Sequence, residues 1–213
     1  MGRGPVALAS MLGSAYLEEA ETSQYAVLAP HLRPQNGRSS CGLAATAVVF
    51  ASFDKKPDRE EDVLAAQQGT ERLDSISYGI TLDDLSLLMG SIGLECEAYR
   101  ATDLATARRD LRRSLAADVR VVLNYTMRKV PGLGGNWGHH ALVAAYHEPS
   151  DTFLVLDAAT RLRPYAQPVW IDAPTLFAGM IEPDGMSGTP RGWLVCHRPT
   201  SACCLTPDLL PSL

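Results

Sequence analysis

The sequence predicts an α+β fold. Apolar residues recur at helical spacing in the first half of the chain, whereas from residue 119 onward the period drops to two. Alternating strand–helix–strand units are missing, and the second-half strands are joined by short loops rich in Gly, Pro and Asp. The expected architecture is a helical N-terminal half, with one wholly buried helix beginning at Cys41, packed on a mostly antiparallel sheet formed by the C-terminal half.

Residues 1–13 lack periodicity and read as a loose arm, followed by a short helix between Tyr16 and Leu32 that stops near Pro30 and Pro34. Arg33-Pro-Gln-Asn-Gly-Arg-Ser-Ser40 is a polar loop by composition. Cys41 to Phe50 is small and apolar all round, the pattern of a buried helix. An acidic helix from Pro57 to Gln68 follows, then a helix opened by the capping-box-like Thr81-Leu-Asp-Asp84 and ended by Gly93. Leu94–Tyr99 reads as a strand and Thr102–Leu115 as a helix. Strands are then predicted at Val119–Tyr125, His139–His147, Thr152–Asp157, Pro168–Ile171 and Arg191–His197. The division this suggests is an arm and short helix over 1–30, a catalytic unit over 31–198 and a surface tail over 199–213.

With 46% hydrophobic and 20% charged residues, the chain is too apolar for intrinsic disorder. Nineteen Lys and Arg against 24 Asp and Glu give a net charge of −5, and the one basic concentration, Arg108, Arg109, Arg112 and Arg113, has the spacing of a solvated helix face. No nucleic-acid partner is therefore expected. The opening residues make a poor signal peptide and no apolar run reaches membrane-spanning length, so a soluble cytoplasmic protein without a membrane partner is predicted. Five unevenly spaced cysteines are a poor disulfide framework. Cys196, His197, Cys203 and Cys204 are soft ligands close in sequence, but their spacing fits no zinc motif, and neither a metal nor another cofactor is expected.

Cys41 sits where a polar loop enters a buried helix, so its sulfur lies near orphan N–H groups and the positive end of the helix dipole, which favour a thiolate. A glycine-rich loop delivers His139 and His140 at the start of an apolar strand, and Asp157 ends the next strand across the hairpin turn Glu148-Pro-Ser-Asp151. Nucleophile, base and orienting acid are thereby present. Adjacent strand residues face opposite sides, so one histidine points at Cys41 and the other away. Pairing sums of 296 or 297 would set Asp157 opposite His139 or His140 respectively, and the residues alone leave that open. Gln35, six residues before Cys41, could join the backbone N–H of Cys41 as an oxyanion hole.

Gln35 with Cys41-Gly42, Gly138-His139 leading into Ala144-Ala-Tyr146, Asp157 eighteen residues after His139, Pro168-Val-Trp170, and Ser187-Gly with Arg191-Gly-Trp193 together resemble phytochelatin synthases and their short bacterial relatives over roughly residues 31–196. The resemblance implies a papain-like fold with Cys41 as nucleophile, His139 as base, Asp157 as acid, and Gln35 with Cys41 as oxyanion hole. It further implies cleavage of a glutathione-like peptide through an acyl-Cys41 intermediate that passes to another thiol peptide or to water. Ser40, Gly138, Arg161 and Arg191 fall beside the implied substrate. Three positions depart from the family pattern. Ser40 replaces the usual aromatic residue before the nucleophile, Ala141-Leu142 replaces Ser-Pro, and an insertion after Asp157 leaves Arg161 only an approximate match for the expected arginine. These departures predict weak handling of glutathione and a bulkier or differently charged donor.

Three other readings compete. One is an amide-forming acyltransferase acting on a thioester or carrier-bound donor, which would add a carrier protein as partner. A second is a leader peptidase, and the third a non-catalytic papain-fold binding protein. Oligomeric state is not legible in the sequence.

Overall fold

The computed structural model describes residues 4–66, 79–100, 102–132, 135, 137–159 and 167–198. Arg161, Cys203, Cys204 and the tail expected from Pro199 onward lie outside them. Among the described residues an antiparallel sheet of eight strands carries helices on both faces, which is the predicted α+β class.

The N-terminal segment differs from expectation. Val6–Ala7 (β1) pair with Trp170 and Val169, and Met11–Glu18 form helix α1, capped by Ser10, whose Oγ accepts from the Gly13 N–H at 3.0 Å. The expected helix from Tyr16 to Leu32 is broken into the end of α1, a short strand Thr22–Ser23 (β2), helix Tyr25–Leu28 (α2) and a 3₁₀ turn at Ala29–His31. The sheet interrupts it: Thr22 and Ser23 pair with Tyr146 and Ala145, and the Gln24 N–H donates to Ala144 O at 2.6 Å. Two-residue strands are too short to show alternation in a sequence.

Helices Cys41–Ala51 (α3), Glu60–Ala66 (α4) and Leu82–Ser91 (α5) follow, then strand Cys96–Tyr99 (β3) and helix Leu104–Leu115 (α6). The remaining elements are Val119–Thr126 (β4), Gly138–His147 (β5), Thr152–Leu156 (β6), Val169–Asp172 (β7), helix Ala173–Met180 (α7) and Gly192–His197 (β8). The strand order is β1-β7-β6-β5-β4-β8-β3. Pairing of β4 with β5 runs out at Val143, and β2 covers the edge that β5 would otherwise expose beyond it.

The sheet is buried on both sides. One face packs Val122, Leu142 and Leu194 under α3 and α5, and the other packs Val121, Leu123 and Val143 under α6 and α7. Hence β4 is buried at every residue instead of alternating with solvent. On α6, Ala107, Leu111 and Leu115 form the inward stripe. Its arginines are more than a solvated face: Arg108 holds Asp151 in the β5–β6 turn through bonds of 2.7 and 2.5 Å, and Arg112 lies over the Tyr146 ring.

Candidate active site

Cys41 is the first residue of α3, as its sequence position requires. Every residue of that helix is buried, so the thiol is carried on an element that the core holds rigid. The entering loop is tied from both sides: the Gln35 N–H donates to Ala158 O at 2.7 Å, and the Asn36 N–H donates to the buried Glu60 carboxylate at 2.9 Å. Gly42 has no room for a side chain, since a Cβ there would lie 2.6 Å from Ile80 Cγ2.

His139 and Asp157 come together, but by neither expected register. The pairs Leu142↔Leu156 and Val143↔Val155 continue to set Asp157 across from Ala141. Ala141 and His139 are two residues apart on one face, so the imidazole reaches Asp157 diagonally, with Nε2 at 2.7 Å from Oδ1. Two features displaced the register: a 3₁₀ turn at Glu148–Ser150 closed by Asp151 in the left-handed region (φ 53°), and a bulge between Val143 and Ala145. The bulge turns both Ala144 and Ala145 toward α3 and returns Tyr146 to the opposite face. Asp157 Oδ1 also accepts the Ala159 N–H at 2.8 Å, which fixes the carboxylate.

With Nε2 engaged by Asp157, the second ring nitrogen of His139 is left for Cys41, to which the ring is hydrogen-bonded. Burial opposes a thiolate at Cys41. The His139 charge, its hydrogen bond and the backbone N–H of His140 outweigh that and hold the thiol below its ordinary value. Burial likewise opposes charge on His139, but Asp157 and Cys41 raise its pKa to about 10. Both shifts favour a thiolate at Cys41 paired with an imidazolium at His139.

His140 does not face away from the helix carrying Cys41. It shares a face with Leu142, packs toward Gly42 and lines the same cavity, while its backbone touches the thiol. Burial pushes its pKa down to about 4, so its side chain is neutral. Its Nε2 lies 2.9 Å from Ile80 O and 2.8 Å from Asn124 Nδ2. Asn124 Oδ1 accepts from Arg191 Nη1 at 2.9 Å, and Arg191 pairs with Asp184 at 2.5 Å.

These groups line a cavity of about 900 Å³ that reaches from Gln35 and Cys41 past His139 to Trp137 and Met186 on its exposed rim. Gly138 and Arg191 belong to it, and they explain each other: a Cβ at Gly138 would land on the Arg191 guanidinium. Gln35 lines it too, although its Nε2 donates to Gly37 O at 2.5 Å. Ser40 is not among the lining residues, because its hydroxyl closes onto Gly37, accepting from the N–H at 2.9 Å. Asn124 and Asp184 escaped the sequence reading. An amide within the apolar run Val-Arg-Val-Val-Leu-Asn-Tyr was the available signal for the first, whereas Glu182-Pro-Asp-Gly185 reads only as a turn.

Among the described residues no three His, Cys, Asp or Glu side chains converge as a metal site, and no helix is long and apolar enough to cross a membrane. The sequence profile of the family described as Phytochelatin synthase matches residues 2–193. The chain is 25% identical over 190 residues to a glutathione gamma-glutamylcysteinyltransferase of Schizosaccharomyces pombe, covering 84% of this chain and 44% of that protein. It is 27% identical over 185 residues to glutathione gamma-glutamylcysteinyltransferase 1 of Lotus japonicus (81% and 35%), and 25% identical over 187 residues to the Triticum aestivum protein of the same name (82% and 36%). The chain thus spans less than half the length of these relatives.

Proposed function

Since the chain belongs to the phytochelatin synthase family, we propose that it is a cysteine-dependent acyltransferase that works through an acyl-Cys41 intermediate. What supports this is the buried contact of the Cys41 thiol with His139, itself held by Asp157 at 2.7 Å, on the wall of a large cavity. Residues 31–198 are assigned as the catalytic unit and a papain-like fold to that unit.

In this reading the Cys41 thiolate attacks a peptide carbonyl of the donor. The oxyanion forms beside the Cys41 backbone N–H, an orphan donor in the first turn of α3, with the Gln35 amide alongside. His139, already protonated, gives its proton to the leaving amine, and the acyl group then passes to an acceptor activated by the neutral imidazole. Asp157 orients the ring and stabilises the imidazolium without taking the proton. The relatives' name points to a γ-glutamylcysteinyl donor, so glutathione or a peptide like it is the proposed substrate, with a thiol peptide or water as acceptor. Reduced Cys41, Cys96 and Cys196 suit a cytoplasmic setting. Ser40 opens no space in the cavity wall, so the missing aromatic residue at that position does not by itself disfavour glutathione.

Intact-protein mass spectrometry after incubation with glutathione, related peptides and thioester donors tests the reading. The expected result is a mass increase on Cys41 matching the acyl part of one donor, absent in Cys41→Ala. An unmodified Cys41 with every donor, or turnover retained by folded Cys41→Ala, would overturn it. His139→Ala should be nearly as damaging as Cys41→Ala, since the residues act as a unit.

A further inference from the structure

Away from the cavity, at the sheet edge formed by β3, three sulfur atoms from three elements meet. Cys96 of β3 is paired in register with Cys196 of β8, and Met89 of α5 lies against both, its Sδ 3.3 Å from Cys96 Sγ and 3.6 Å from Cys196 Sγ. The place of the two cysteines in the ladder matters. The His197 N–H donates to Glu95 O at 2.9 Å, so the adjacent Cys96↔Cys196 position is a non-hydrogen-bonded pair, where facing Cα atoms are only about 4.5 Å apart and side chains are closest. That spacing falls within the range a disulfide spans, roughly 4.4–6.8 Å. Exposure divides the pair: Cys196 is fully buried, whereas Cys96 is partly open to solvent.

We propose that Cys96 and Cys196 form a thiol–disulfide exchange site that takes low-molecular-weight disulfides as its oxidant. The partly exposed Cys96, as its thiolate, attacks one sulfur of the small disulfide R–S–S–R, forming a Cys96–S–S–R mixed disulfide and releasing one R–S⁻, which is protonated to R–SH. Cys196 then attacks Cys96 Sγ, the mixed disulfide breaks, and the second R–S⁻ leaves with the proton that Cys196 gives up. Two protein thiols are oxidised and one small disulfide is reduced to two thiols. The order follows from access, since only Cys96 can meet a solvent-borne reagent while Cys196 waits behind it. Burial pushes the Cys196 thiol well above its ordinary value, so it stays inert toward solvent-borne reagents and reacts only with the sulfur held against it. The product would clamp β3, which among the described residues is held in the sheet through β8 alone, across a loop of about a hundred residues.

The test uses the full chain carrying Cys41→Ala, Cys203→Ser and Cys204→Ser, so that only the pair can react, incubated under native conditions with glutathione disulfide. Peptide mapping without reductant should show Cys96 linked to Cys196, with both thiols lost together and recovered by dithiothreitol. Thermal unfolding of the oxidised form should rise by roughly 5–15 °C. Adding Cys196→Ser should arrest the reaction as a stable glutathione adduct on Cys96. Adding Cys96→Ser instead should leave Cys196 unmodified, and because that position is partly exposed, it keeps the test open should the Cys196 variant fail to fold. Persistence of a Cys96 adduct while Cys196 is intact, linkage only after denaturation, or equal reactivity of Cys196 in the Cys96→Ser protein would each overturn the proposal.

Discussion

At Cys41, burial and charge pull in opposite directions, and charge prevails because the fold holds the compensating groups against the sulfur: an imidazole held by Asp157 and a backbone N–H of β5. The reaction of Cys41 with iodoacetamide should therefore rise between pH 7 and 8 by much less than the about tenfold of an ordinary thiol. Asp157→Ala should restore the steep rise by removing the partner that keeps His139 protonated, and a wild-type profile as steep as that of free cysteine would contradict the pair. Gly138 makes a different kind of demand. Its missing side chain is the space the Arg191 guanidinium occupies, so Gly138→Ala should cost about 1–3 kcal/mol in chemical denaturation through overpacking. No loss would mean that Arg191 moves aside freely.

Single elements set the site's precision. The β5–β6 hairpin owes its register to a turn and a bulge, and the bulge is what lets a ten-residue strand serve His139 at one end and pack Tyr146 beside Phe153 at the other. Helix α5 contributes through its start. Thr81 Oγ1 accepts the Asp84 N–H at 3.1 Å and donates to the Asp84 carboxylate at 2.8 Å, while Ile80, just outside the cap, meets both Gly42 and His140. Thr81→Ala should destabilise the protein by about 1 kcal/mol. Because Ile80 is part of the cavity wall, the same substitution should raise KM for the donor more than it lowers kcat. A stability loss with both constants unchanged would detach the cap from the site.

Over the whole molecule, the sheet between two helical layers buries three groups whose protonation couples folding to pH. Folding lowers the Cys41 pKa and raises that of His139, so their contributions to the pH dependence of stability run in opposite directions. The two contributions of the pair thus oppose each other. His140 behaves otherwise: its pKa is about 4 when folded against 6.5 when unfolded, so its contribution is fully present above 6.5 and is lost as pH falls toward 4. Urea titrations should show stability falling between pH 6.5 and 4, and His140→Phe should reduce that slope by about one proton. An unchanged slope would mean His140 is protonated in the folded state.

The sequence by itself determined the α+β class, the order of most elements, and a candidate nucleophile, base and acid in Cys41, the His139–His140 pair and Asp157. Those features are local: a polar loop entering an apolar helix, strands long enough to show a pattern, and a turn that forces two strands together. Tertiary structure alone decided the rest. Which histidine side chain meets Cys41 depended on a bulge and a 3₁₀ turn, and a one-residue slip reverses every face. The short strands β1 and β2 exist only because β7 and β5 offer free edges, so nothing in Val6–Ala7 or Thr22–Ser23 could announce them. Likewise Asn124, Asp184 and Arg191 form one buried chain through long-range contacts, and Cys96 meets Cys196 only where two strands a hundred residues apart align. Local free energies are written in neighbouring residues, whereas register and burial are set by the packing of the whole chain.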